Sequence, residues 1–278
     1  MEKQDMTNMS YYTPANVADT LSKTICVKKV NESFANLSIL GILAGVYVGF
    51  GACLSTLVGH DAEKYIGAGL TKFMVGGVFS LGIMLVAIAG AELFTGNNLM
   101  FMSVLDKQSP LGKMLSKWAI VYAANLVGSV LLAFIYYKTN LWKTGNLEVG
   151  INALKIANTK VNLTFVEAFA RGILCNWLVC LAMWMAIASQ EITGKILAIF
   201  FPIMAFVSSG FEHCVANMYF IPMGLFLKGT GVAAVSGLDL ANLNPIGFVS
   251  NLIPVTLGNI TGGAFFVGCL YWTVYVKK

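Results

Sequence analysis

The chain has 278 residues, of which 57% are hydrophobic and only 11% charged, against about 25% charged in a typical soluble domain. That deficit marks a membrane protein and leaves few residues for a separate soluble domain. The formal net charge of +5 comes from scattered lysines with no long basic run, which excludes a nucleic-acid surface.

The chain begins without the positive segment and apolar core of a cleavable signal, so the first hydrophobic span is expected to remain in the mature protein. Residues 1–35 read as a cytoplasmic arm. Its apolar residues Val17, Leu21 and Ile25 recur every fourth position, which predicts a short amphipathic helix lying along the membrane interface. The alternative is that this helix caps the pore and regulates it.

Six apolar spans follow, at 37–58, 67–101, 118–137, 165–188, 196–227 and 248–276. Each is long enough to cross a hydrocarbon core as a helix. The second and fifth are too long for one simple crossing and are expected to be interrupted. The connections at 60–65, 106–117, 138–164, 189–195 and 228–245 read as short and polar. The fold class is therefore all-α integral membrane, with six transmembrane helices in residues 36–278.

Lysines near the membrane mark the cytoplasmic side. Lys3, Lys23, Lys28 and Lys29 in the arm, Lys107, Lys113 and Lys117 in the second connection, and Lys277 and Lys278 at the C-terminus share one side after six crossings. Both termini are placed in the cytoplasm of a cell with a plasma or inner membrane. Lys138, Lys143, Lys155 and Lys160 in the third connection run against this rule and need another use. The six cysteines show no C-x-x-C spacing and read as small apolar fillers, without disulfide or metal.

The two overlong spans share a pattern, G-x-E-x-x-x-x-N, which covers Gly90, Glu92 and Asn97 in one and Gly210, Glu212 and Asn217 in the other. Upstream, Gly41-Ile-Leu43 answers Gly172-Ile-Leu174. Downstream, Asn125 and Gly128 answer Asn259 and Gly262. Three elements in the same order indicate a duplication of a three-span unit, at about 36–137 and 162–276. Because three is odd, the second copy enters from the opposite side, as an inverted repeat whose site lies where the halves meet. Polar backbone at mid-membrane depth is tolerated only inside protein or beside a wet cavity. Broken helices aim positive dipole ends inward, which favours an anion.

Ionisable groups within spans are functional candidates by default. Here they are Glu92, Glu167, Arg171, Glu212 and His213, with Lys160 near the outer mouth. His213 titrates near neutrality when unperturbed and sits at a predicted helix break, where it can hydrogen-bond an anion or exchange a proton with it. Glu92 and Glu212 are expected to accept N–H groups freed by the breaks, with Asn97 beside them. Glu167 and Arg171, four residues apart, are expected to form an ion pair. Asn176 is a candidate polar lining residue.

The segments Ala91–Asn97 (AELFTGN), Leu174–Ala182 (LCNWLVCLA), Ser209–Met218 (SGFEHCVANM) and Leu252–Asn259 (LIPVTLGN) resemble the signature segments of the formate/nitrite transporter family, and the likeness covers nearly the whole chain. The resemblance implies a homopentamer of aquaporin-like six-helix protomers, each with its own pore; no cofactor and no enzymatic activity are expected. It implies a cytoplasmic constriction at Ile83, Leu93 and Phe94, with Thr95 on the mobile loop between the halves of the second helix, and an outer constriction at Phe79 and Phe206. The implied central polar set is Lys160, Asn176, Glu212, His213 and Asn217.

A bare anion between apolar rings has lost water and gained no partner, whereas a neutral acid crosses at lower cost. The expected mechanism has Lys160 and the helix ends concentrate the anion, and His213 supply a proton to it. Formate and nitrite lead the substrates, with hydrosulfide, acetate and lactate as family alternatives. A neutral-solute channel would be favoured by two N-P-A motifs, which are absent. A membrane enzyme lacks a nucleophile–base pair, a ligand cluster or a phosphate loop.

Overall fold

A computed structural model describes residues 11–277, and among them every regular element is helical. Five helices are long and apolar enough to cross a membrane: Phe34–Val58, Glu63–Gly90, Leu111–Lys138, Phe165–Ala188 and Pro245–Tyr275. Two shorter apolar helices, Ile192–Ser208 and Cys214–Lys228, occupy the fifth apolar stretch of the sequence.

Local sequence sets where these helices start. Ser33 caps the first span by accepting the Asn36 N–H. Thr164 and Glu167 form a reciprocal capping box on the fourth. Asn244 accepts the Gly247 N–H just ahead of Pro245 at the start of the sixth. Each of these side chains satisfies N–H groups that have no partner inside the helix.

Small residues bring the helices together. A Cβ on Gly45 would stand 2.2 Å from the Asn125 carbonyl oxygen, and one on Gly128 1.9 Å from that of Ile42, so the first and third spans touch backbone to backbone. The fourth and sixth meet in the same way, at Gly258 against Phe169 and Gly262 against Ile173. Close approach through small side chains is how membrane helices gain packing without a hydrophobic driving force between them.

The second and fifth spans are interrupted, as the sequence predicts. The second leaves its helix at Gly90 (φ 92°) and resumes in a 3-10 turn, Gly96–Met100, and a short helix, Phe101–Leu105. The fifth breaks after Ser208 at Gly210 (φ 74°) and resumes at Cys214. These left-handed backbone angles are what glycine supplies without a steric penalty.

Three expectations are corrected. The apolar stripe of the arm packs against protein rather than being left free for lipid. The arm forms Pro14–Thr20, a π-helical turn at Leu21–Ile25 and a final helix at Cys26–Asn31. Val17, Leu21, Cys26 and Val30 are fully buried against the broken end of the second span and its neighbours, and the Tyr12 N–H donates to the Ala188 carbonyl at 2.8 Å. An apolar stripe of helical period reports burial but not whether protein or lipid provides it.

The third connection is not simply polar, since it contains the helix Glu148–Val161, whose last turn carries Lys160. Finally, Glu167 does not pair with Arg171. Its carboxylate accepts from the Thr164 N–H at 2.9 Å and the Thr164 hydroxyl at 2.7 Å, because an N-terminal carboxylate finds backbone donors closer than a side chain one turn away.

Candidate functional site

The two breaks are built from the same parts. The Glu92 N–H donates to the Leu40 carbonyl and the Glu212 N–H to that of Arg171. Asn125 Oδ1 accepts the Phe94 N–H at 2.9 Å, while its Nδ2 donates to the Gly41 and Glu92 carbonyls at 2.8 and 2.9 Å. Asn259 repeats this set on the Cys214 N–H at 2.9 Å and the Gly172 and Glu212 carbonyls at 2.8 and 2.9 Å. The freed N–H groups at the breaks thus go to asparagine amides, not to the glutamates as expected.

The glutamates hold lysines instead. Glu212 accepts from Lys160 Nζ at 2.9 and 3.1 Å and from Asn217 Nδ2 at 2.6 Å. Glu92 accepts from Lys29 Nζ at 2.8 and 2.7 Å and from Asn97 Nδ2 at 2.8 Å. Lys29 was not singled out as a site residue from the sequence. The signal was present, because Glu92 matches Glu212 and so calls for its own cation.

Two cavities approach each other across the breaks. The larger, about 770 Å³, reaches inward past Lys160 to Phe79, Phe206, Glu212 and His213. The smaller, about 480 Å³, opens beside the arm and is lined by Lys29, Glu92, Leu93, Gly96 and Asn97. Phe79 and Phe206 meet edge to face with centroids 5.8 Å apart, and the Phe206 ring stacks on His213 at 5.9 Å. They form the floor of the larger cavity. Leu93 borders the smaller one.

Ile83 and Thr95 line neither cavity and are completely buried. Ile83 lies one turn beyond Phe79 on the second span, and Thr95 lies between Leu93 and Gly96. Both therefore belong to the partition between the cavities.

Phe94 is turned away from both cavities, against Tyr122 and Trp118 at 4.9 and 5.9 Å. Asn176 also lines neither. Its Nδ2 lies within hydrogen-bond distance of the Thr95 carbonyl, Asn98 Oδ1 and the Asn259 carbonyl, at 3.2, 2.8 and 2.7 Å, where it ties the first break to the sixth span. Asn217 is likewise buried, bonded to Glu212 and, at 2.8 Å, to Asn251 Oδ1.

His213 crosses the partition. It is the N-cap of Cys214–Lys228, and its Nδ1 accepts the Ala216 N–H at 3.0 Å. A backbone N–H can only donate, so Nδ1 carries no proton. The proton of the neutral ring sits on Nε2, which donates to Thr95 Oγ1 at 2.9 Å,. One hydrogen bond thus joins the first break to the second, between the two cavities.

Interrupted apolar helices that enclose two opposed cavities, with a thin buried partition between them, define a membrane transport protein. The description of the formate/nitrite transporter family matches residues 15–273. A probable formate transporter of Methanothermobacter thermautotrophicus is 43% identical over 97% of this chain and 99% of its own length. Formate channel FocA of Escherichia coli K12 is 35% identical over 86% of each chain. A solved structure described as a pentameric formate channel with formate bound is similar at a TM-score of 0.79 and 39% identity, covering 88% of this chain and 98% of that one. Another, described as an FNT family ion channel, is similar at 0.77 and 31% identity, covering 94% and 98%. The chain belongs to the formate/nitrite transporter family, whose members are channels and transporters rather than enzymes.

Proposed function

We propose that this protein is a homopentameric channel for a small monovalent weak-acid anion, formate or nitrite, with one pore per protomer. The observation that carries this reading is the His213–Thr95 hydrogen bond at the meeting of the two cavities. It is the polar contact that a solute must replace in order to pass. Carved from two oppositely directed halves, 36–137 and 162–276, the pore has its larger mouth outside and its smaller mouth, with both termini, in the cytoplasm.

An anion enters along Lys160, or from the other side along Lys29, and reaches apolar walls at Phe79, Phe206, Ile83 and Leu93. Losing water there is costly without a partner. The Nε2–H of His213 supplies one when it releases Thr95 and donates to an oxygen of the anion. That hydrogen bond stabilises the charged form, so protonating the anion, which lowers the cost of crossing the partition, needs a proton delivered to it. Proton delivery from the ring itself requires Nδ1 to gain a proton, and Nδ1 does so only by giving up the Ala216 N–H. Proton transfer and loosening of the helix start at Cys214 are therefore one event.

Formate uptake into liposomes under a pH gradient tests this reading. An Asn at position 213 keeps an acceptor for the Ala216 N–H but cannot take up a proton. His213→Asn is expected to fold and to lose proton-coupled uptake, and His213→Phe to lose both the cap and the uptake. Normal coupling in His213→Asn would remove the histidine from the mechanism. The absence of formate and nitrite flux in the unmodified protein would overturn the substrate class.

A further inference from the structure

Lys160 faces the larger cavity with its charge already compensated, since Glu212 binds it through both carboxylate oxygens and the two side chains are only 12% and 6% exposed. Lys64, at the rim, is paired with Glu148. Arg171 lines the same cavity and is different. It stands two turns into the fourth span, and its carbonyl receives the Glu212 N–H, which places it beside the second break. Among the described residues no carboxylate lies within 4.0 Å of its guanidinium, and no side-chain hydrogen bond engages it. Glu167, one turn away, is held by Thr164. An unpaired, half-buried cation at a span end is costly to keep and points to a ligand.

We propose that Arg171 selects planar two-oxygen anions at the mouth of the pore by binding both oxygens at once, so that the site prefers formate and nitrite to single-centre anions such as hydrosulfide or chloride. This rests on the transport reading above and specifies its substrate class. A guanidinium presents two parallel N–H groups at the spacing of the oxygens in a carboxylate, and nitrite has the same bent O–X–O shape. An ammonium is a point charge and makes no such distinction. Lys155, which lines the cavity too, therefore attracts every anion alike. Asp61 and Glu63, at the start of the second span, also border this cavity, so the cavity as a whole is not a strongly positive funnel. Discrimination then depends on the local fork and not on overall charge.

The test uses the full-length protein in liposomes and three variants: Arg171→Lys, Arg171→Gln and Arg171→Met. The half-saturating concentrations of formate and nitrite are measured, together with the hydrosulfide and chloride concentrations that halve formate uptake. Loss of one charge-assisted bidentate contact is expected to raise the formate and nitrite values about tenfold in Arg171→Met, with a much smaller change for hydrosulfide and chloride. Arg171→Lys, which keeps the charge and loses the fork, is expected to remain impaired for formate and nitrite alone. Full rescue by Arg171→Lys, or an equal change for all four anions, would show a simple charge effect and overturn the proposal. Unchanged selectivity in Arg171→Gln would overturn it as well. If the unmodified protein transports neither formate nor nitrite, it is the transport reading that fails. That outcome is read before any variant is compared.

Discussion

At the scale of single residues, two asparagines hold the breaks open. Asn125 and Asn259 each supply one acceptor and two donor contacts to backbone groups that a continuous helix would have satisfied internally. Both are fully buried, and no water in a bilayer core stands ready to replace them. Each unmet buried polar group costs about 1–3 kcal/mol, so Asn125→Leu is expected to destabilise the protein by about 3 kcal/mol or more. Denaturant titration in micelles reads this directly, and a midpoint equal to that of the parent would assign the contacts no weight. The repeat made both asparagines visible in the sequence, as the third element of the matched set. Their role was not legible, because glutamate is the more obvious acceptor near a helix end, whereas in the fold both glutamates face lysines.

At the scale of elements, the arm forms part of the wall of the smaller cavity. Lys29 joins Glu92 and Asn97, and Cys26 is so deeply buried in the same contact that its thiol is pushed up to about 12, although Lys29 opposes the shift. That cysteine is an inert packing group. Removing one partner of this partly buried ion pair leaves the other uncompensated. Lys29→Met is therefore expected to loosen the arm, measured as faster amide exchange over Val17–Val30, and Lys29→Met with Glu92→Gln to restore much of the protection. Unaltered exchange in the single variant would show that the apolar contacts alone hold the arm. Long apolar helices and two interruptions were readable, since a bilayer dictates both the length of an apolar run and the cost of breaking it. The docking of the arm was not, since lipid and protein demand the same four-residue stripe. Nor was the helix inside the third connection, whose polar residues face the larger cavity.

At the scale of the whole molecule, large apolar side chains such as Phe50, Leu70, Phe73, Leu131, Phe201 and Phe265 remain exposed around the helices of one protomer. Such a surface belongs against lipid or against another copy. Light scattering of the purified protein in detergent is expected to give five copies of the 29.9 kDa chain, and a stable monomer would contradict the proposed assembly. The membrane class was legible from composition, because a charge content this low has few other solutions, and the all-α fold from the length of the apolar runs. Subunit number was carried only by resemblance, since nothing in one chain counts its neighbours.

The partition between the cavities has a further consequence. Ile83 and Thr95 within it are completely buried, and on the proposed reading it yields to a solute able to replace the Thr95–His213 contact. On that reading a cell can hold many copies without dissipating its ion gradients, because a sodium or potassium ion cannot accept the Nε2–H of His213 in place of Thr95. Permeability of this kind is conferred by the passenger, so leakage through the resting protein stays low however abundant it becomes.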